Sequence, residues 1–309
     1  MEMKLGRFVV AVLAMVAVFA LFGCGGAGGS SQPPPPTTFK ASNVFVVVLE
    51  NHGFSSVIGN AAMPYLNSLA SSQGLATNYF ANTHPSIGNQ FMLTTGTIPT
   101  NDDAFSGTIS SDNIVRELTA AGKTWKGYFD SLPSVGYTGG DVLPYVKHHN
   151  PFAYFSDVLD SSAQQANLVP ATQLAQDIAA GQLPQFGYII PNDYENGHEC
   201  APGVTCNDAV ALAAADNWLR ANLDPLIRSA AFQQGGLLFI LFDESDLTDL
   251  AHGGGHIPVV VVGPGVKSAF QSGILYQHQN LLRTVLEQLG VTVFPGASAS
   301  AAPMSDFFK

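Results

Sequence analysis

Charge is scarce in this chain. Of its 309 residues, 11% are Asp, Glu, Lys or Arg, with 12 basic against 23 acidic residues and a formal net charge of −11. No run of Lys or Arg is present to neutralise a phosphate backbone, which argues against nucleic acid as a partner. An internal repeat is also missing. Cysteine is limited to Cys24 near the start and to Cys200 and Cys206, which stand close together. Apolar residues are plentiful instead: 46% of the chain is hydrophobic, ample for one large core or two modest ones.

The N-terminus reads as a targeting segment. Lys4 and Arg7 precede an apolar run, FVVAVLAMVAVFALF, that ends at Gly23-Cys24, the n-region and h-region plan of a secretory signal. The ending LFGC resembles the lipobox of bacterial lipoproteins, in which the Cys becomes the acylated first residue. Residues 1–23 are therefore expected to be a signal peptide, Cys24 the lipidation site, and 24–40 a Gly/Pro-rich tether. The alternative is an uncleaved anchor, for which the apolar run is near the short end. The expected location is outside the cytoplasm, on the periplasmic or cell-surface side, held at a membrane by the N-terminal lipid. In such a compartment Cys200 and Cys206, in the loop GHECAPGVTCND, are expected to form a disulfide that stiffens the segment carrying His198. Two free thiols or a soft metal site are the alternatives.

From residue 41 to 309 the pattern is that of one α/β domain. Continuous β-branched or apolar runs at 43–50, 185–193, 235–244 and 257–265 read as buried strands, with further strands at 76–83 and 124–130. Helices are expected over 63–74, from Ser86, over 112–123, over 208–230 and over 278–290. Residues 131–170, rich in Pro, Gly and Tyr, read as an irregular cap or insertion. Strands alternating with helices imply a largely parallel central sheet with helices on both faces.

The polar residues fall into four short clusters: VFVVVLENHG (44–53), NTHPSIGNQFMLTTG (82–96), IIPNDYENGHEC, and LLFILFDESD followed by HGGGH. Three begin where a strand run ends, at the sheet edge where ligands bind in open α/β folds. Glu50 and Asn51 after the first strand offer hard oxygen ligands for a divalent cation. Asp243-Glu244 is the stronger pair, because two acids ending so apolar a run would be costly to bury unpaired. Ser86, after a Pro and at a helix start, is either an N-cap or a nucleophile. Beside the other clusters the nucleophile reading prevails, with Asn89 one turn on to hold a phosphate oxygen. Asp193 and His198 form a metal pair, or a proton donor with its orienting partner, or a plain polar loop. His84 and His278 are candidate site imidazoles, and of His252 and His256 at least one is expected to face the site. His52 is expected at the surface or behind the ligands, and His148-His149 at a solvated rim.

LEN after the first strand, HPSxxN, and FDE followed by GGGHIP and a Gly-Pro turn resemble the bacterial phosphoesterase family, which includes acid phosphatases and phospholipases C. That family belongs to the alkaline phosphatase-like superfamily, and the resemblance covers residues 41–290. SIGNQFMLTTGTIP is also similar to the nucleophile region of nucleotide pyrophosphatases/phosphodiesterases, with Thr in place of Ser86. The resemblance implies Ser86 as the phosphorylated nucleophile, Asn89 as a phosphate donor, and Glu50, Asn51, Asp243 and Glu244 around a divalent metal. Asp193 and His198 fall where a second metal is often held. Many superfamily members have Asp-His where this chain has Asp243-Glu244, which favours one metal over two, with His198 as general acid. His84, His256 and His278 would be the second-metal or phosphate contacts otherwise. The implied activity is metal-dependent hydrolysis of a phosphate ester. The alternatives are a phospholipase C acting on lipid head groups and a non-catalytic surface lipoprotein that keeps the fold.

Overall fold

Strands β1 (Asn43–Leu49) and β6 (Gly236–Phe242) are buried along their whole length. Both faces of the sheet are covered there, which is why these sequences are continuous apolar runs rather than alternating ones. The two pair in parallel, from Asn43 opposite Gly236 to Leu49 opposite Phe242, and β5 (Phe186–Ile190) flanks β1 in parallel on its other side. The structure is a computed structural model and describes residues 39–309. The expected signal peptide over 1–23, lipidation at Cys24 and all but the end of the 24–40 tether lie outside the described residues.

The sheet has nine strands in the order β4-β3-β5-β1-β6-β7-β2-β8, with β9 also on β2. The others are β2 (Gly74–Phe80), β3 (Trp125–Phe129), β4 (Leu168–Pro170), β7 (His256–Val262), β8 (Phe270–Ser272) and β9 (Tyr276–Gln277). Pairs with β7 are antiparallel and all the others are parallel. The loop after β6 turns back at the sheet edge where β1, β2, β3, β5 and β6 end, so the first residue of β7, His256, starts there. Helices Pro64–Ser72 and Gln173–Ala180 pack against the long helix Asp208–Arg228, and Ser86–Thr95 packs against His278–Gln288.

Residues 131–170 depart from the expected irregular cap. They contain two tight 3-10 turns, Lys147–His149 and Pro151–Tyr154, two short helices, and β4. β4 extends the sheet in parallel beside β3. Three residues are too short to give a readable alternation, so the edge strand leaves no signal in the sequence. Phe152, Tyr154 and Phe155 are fully buried against Phe91, Trp125 and Tyr188. This segment therefore belongs to the core, and His149 is carried inward with it rather than left at a solvated rim.

Candidate active site

Ser86 is the first residue of the helix Ser86–Thr95. Pro85 occupies the cap position, and the Ser86 hydroxyl makes no capping bond. It donates instead to Glu50 Oε2 at 3.0 Å and lies 3.4 Å from Asn51 Oδ1. Glu50 directly follows β1, and Asn51 then takes a left-handed backbone (φ 55°), a conformation Asn tolerates better than most residues. Asp243 follows β6 one strand away. Its Oδ1 accepts the amides of Glu244 at 2.7 Å and Asn51 at 3.3 Å, and its Oδ2 is buried without a hydrogen-bond partner. Register explains the convergence, since Leu49 and Phe242 are paired residues and their successors meet at one point.

Glu244 lies to one side of this group. Its Oε2 accepts from Asn89 Nδ2 at 3.1 Å, and its Oε1 lies 3.2 Å from His84 Nδ1. The rest of Asn89 is engaged too: Nδ2 also donates to the Thr83 carbonyl, and Oδ1 accepts the Asn82 and Thr83 amides. Asn89 thus ties the segment that delivers Ser86 to Glu244. The glycines of HGGGH have a geometric task at the same place. A Cβ on Gly253 would overlap the Asn82 carbonyl, and one on Gly254 the Thr83 carbonyl. They permit close approach of two backbones.

The remaining candidates are spread along the edge. Asp193 and His198 face each other at 3.9 Å, with Glu199 Oε1 3.7 Å from the same ring nitrogen; the His198 side chain is 39% exposed. Cys200 and Cys206 are bonded to each other with Cα atoms 5.4 Å apart. His52 Nε2 meets the Gly197 carbonyl. His278 is buried between the Tyr79 hydroxyl and the Asp243 carbonyl, and burial pushes its imidazole down to about 4. His256 stacks between Phe54 and Phe80 with Nε2 on the Thr77 carbonyl, and His252 packs on Phe80. Neither ring is hydrogen-bonded to Ser86, Glu50 or Asp243. The aromatic stack on Phe80 accounts for both.

Three contributors escaped the sequence reading. His149 Nε2 lies 3.4 Å from Glu50 Oε2, and burial drives its imidazole well toward the neutral form. Gln90 Nε2 donates to Glu50 Oε1 at 3.3 Å, and Tyr188, in β5, donates to Gln90 Oε1 at 2.7 Å. Gln90 sits one turn into a helix that is buried all round. Its neighbours Ser86, Asn89, Thr94 and Thr95 are polar too, so nothing in the local sequence singles Gln90 out.

Glu50, Asp243 and Glu244 are all at most 1% exposed. Burial first, and then the neighbouring Asp243 charge, push Glu50 well above the usual carboxylate range; the same two causes take Glu244 up to about 10. Asp243 is raised by burial as well. Among the described residues no three His, Cys, Asp or Glu side chains form a ready ligand set. The donors grouped at Ser86 are two carboxylates, an amide oxygen and a hydroxyl. These hard oxygens, with Asp243 Oδ2 lacking any partner, fit a divalent cation.

The fold is an alkaline phosphatase-type scaffold. A solved member of the alkaline phosphatase superfamily from Vibrio parahaemolyticus superposes with a TM-score of 0.60 at 15% identity, covering 84% of this chain and 69% of that one. The model of the phosphoesterase family matches residues 59–292, and the chain belongs to that family. It is 30% identical to a phosphatidylinositol-3-phosphatase of Mycobacterium tuberculosis, over 86% of this chain and 83% of that protein. It is 29% identical to a phosphate-repressible acid phosphatase of Penicillium chrysogenum, over 59% of this chain and 43% of the fungal protein. The matched stretch thus spans less than half the length of that fungal enzyme.

Proposed function

We propose that this phosphoesterase works through Ser86 as nucleophile, with a phosphoserine intermediate. The observation that carries the reading is the Ser86 hydroxyl donating to Glu50 Oε2, at a helix start and within a ring of buried carboxylates. Glu50 takes the proton as Oγ attacks phosphorus; the Ile87 amide is engaged by Asp103 Oδ1 at 3.1 Å, so the helix start acts on the phosphate's charge through its dipole rather than through that N–H. The P–O bond to the alcohol breaks, and the leaving oxygen takes a proton from His198. Water then attacks the phosphoserine and gives a proton to His198, while Glu50 returns its proton to Ser86 Oγ as the P–O bond to serine breaks and inorganic phosphate leaves. Glu50, Asn51 and Asp243 would hold a divalent cation, with Glu244 in reserve beside His84; such an ion supplies Lewis-acid stabilisation of oxygen and phosphate charge. Asn89 fixes the loop that presents Ser86.

Lipid attached to Cys24 would keep the enzyme at a membrane outside the cytoplasm. The name of the mycobacterial relative favours a second substrate reading, a phosphate on a membrane lipid, which such an anchor would suit. The deciding experiment is a quenched turnover of an aryl phosphate. Wild type should yield a phosphopeptide containing Ser86, and Ser86→Ala should lose several powers of ten in rate, roughly the scale of a lost activated nucleophile. A Ser86→Ala enzyme with most of its activity would leave direct attack by water.

A further inference from the structure

A cleft of about 380 Å³ shares one lining residue with the surroundings of Ser86. Asn51 belongs to both: its Oδ1 lies 3.4 Å from the Ser86 hydroxyl, and it lines the cleft. His198 stands in the same wall, together with Cys206 of the disulfide, the exposed side chain of Leu247, and the carboxylates of Asp208 and Asp246. No Lys or Arg lines it. Both carboxylates are available to a ligand. Asn207 caps the helix Asp208–Arg228, which leaves Asp208 free of that task. Asp246 is held in place by the amide and hydroxyl of Thr248.

We infer that this cleft receives the leaving alcohol and selects alcohols carrying a positive charge over anionic ones, so that amino alcohol phosphates are the preferred class. The inference rests on the Ser86 reading above. The leaving group must depart from phosphorus on the side away from Ser86 and within reach of a proton donor. The cavity that shares Asn51 with the nucleophile also carries His198. Its apolar patch at Leu247 suits the carbon stem of a small amino alcohol, and its two carboxylates suit the ammonium. A phosphorylated or carboxylated alcohol would meet like charge there, with only the imidazoles of His52 and His198 to offset it. At the separations of such a cleft, two carboxylates in wet surroundings should favour a cationic over a neutral alcohol by on the order of five-fold at physiological salt. Neutral over anionic should differ by a similar factor, and both ratios should grow as salt is lowered.

The test compares kcat/KM for phosphoethanolamine, glycerol phosphate and 3-phosphoglycerate at one pH and ionic strength, so that the lining imidazoles carry the same charge for all three. Wild type should prefer them in that order. The ratio of the first to the third should fall toward one in Asp208→Asn with Asp246→Asn, and Asp246→Lys should reverse it. Calorimetric binding of choline alone, without phosphate, gives a second readout, and it should weaken in the same double variant. Equal turnover of the three esters would overturn the inference while leaving the Ser86 reading intact. So would faster turnover of phosphatidylinositol 3-phosphate, whose leaving group keeps an anionic diester. Choline binding lost in the double variant, in an enzyme that turns over no phosphate ester, would sink the Ser86 reading and leave the cleft's cation preference standing. Choline binding that is absent, or indifferent to both aspartates, counts against the cleft.

Discussion

Glu244 offers a prediction in which stability and charge separate cleanly. Its carboxyl is 1% exposed, accepts one bond from Asn89, and lies 3.2 Å from His84 Nδ1, a buried nitrogen with no hydrogen-bond partner. Burial and the Asp243 charge raise it from 4.5 to about 10. A carboxyl raised in the folded state stabilises it below the unfolded value, and that contribution is lost as pH rises toward the folded one. In metal-free protein at pH 7.5, about three units above the unfolded value, the loss amounts to roughly 4 kcal/mol as an upper bound. Glu244→Gln removes it: the amide oxygen can still accept from Asn89, and the amide nitrogen can donate to His84 Nδ1. In EDTA at pH 7.5 the variant should therefore melt higher than wild type, by roughly 10 °C if most of that free energy is recovered. Near pH 4.5 the two should nearly coincide. Thermal melts from pH 4.5 to 8.5 in EDTA read both the shift and the slope. A variant that melts lower at pH 7.5, or keeps the wild-type pH slope, would refute the reasoning. It would mean that Glu244 is ionised and stabilised by a protonated His84.

Three further outcomes follow from the same geometry. Asp243→Asn should lower divalent-cation binding and activity together while the fold persists, read by equilibrium dialysis and circular dichroism. In wild type, cation uptake should release protons from the raised carboxyls and tighten as pH rises. Tyr188→Phe frees the Gln90 amide to turn its oxygen toward Glu50; it should cost roughly 1–2 kcal/mol of stability and slow turnover. Its effect should be non-additive with Gln90→Met in a double-mutant cycle, and additivity would cut Tyr188 out of the network. Cys24→Ser should release the protein from the membrane fraction of expressing cells, and a variant that stays there by its N-terminal segment would favour an uncleaved anchor.

The sheet was legible because burial on both faces writes itself as continuous runs: VFVVVL and GLLFILF locate β1 and β6, and their parallel pairing sets Glu50 beside Asp243. The antiparallel direction of β7 was not, since IPVVVV reads the same whichever way the strand runs. Ser86 was legible as a helix start after Pro, but whether its hydroxyl caps or reaches across depends on Glu50 standing opposite, a contact 36 residues away. His149 was misread for a related reason. In a 3-10 turn neighbouring residues alternate between solvent and core within three positions, and no period distinguishes His148 from His149. His256 was drawn toward the site by its place in HGGGH, whereas the aromatic rings of Phe54 and Phe80, far apart in sequence, hold it in a stack.

The charge balance of the edge cluster sets the next question. Among the described residues, the only basic side chains within ion-pair distance of Glu50 or Glu244 are the imidazoles of His149 and His84. His149 is driven toward the neutral form by its own burial. Three buried carboxyls with so little opposing charge have two ways to be stable: hold protons, or hold a cation from solution. The first keeps Glu50 from accepting the Ser86 proton, and the second frees it to do so. Cation binding and nucleophile activation are on this argument one event, and the pH at which protons yield to the cation should set the acid limb of activity. A pH–rate profile whose acid limb shifts to lower pH as cation concentration rises is the expected form. An acid limb that stays fixed across a hundred-fold range of cation would separate the two events and assign the limb to another group.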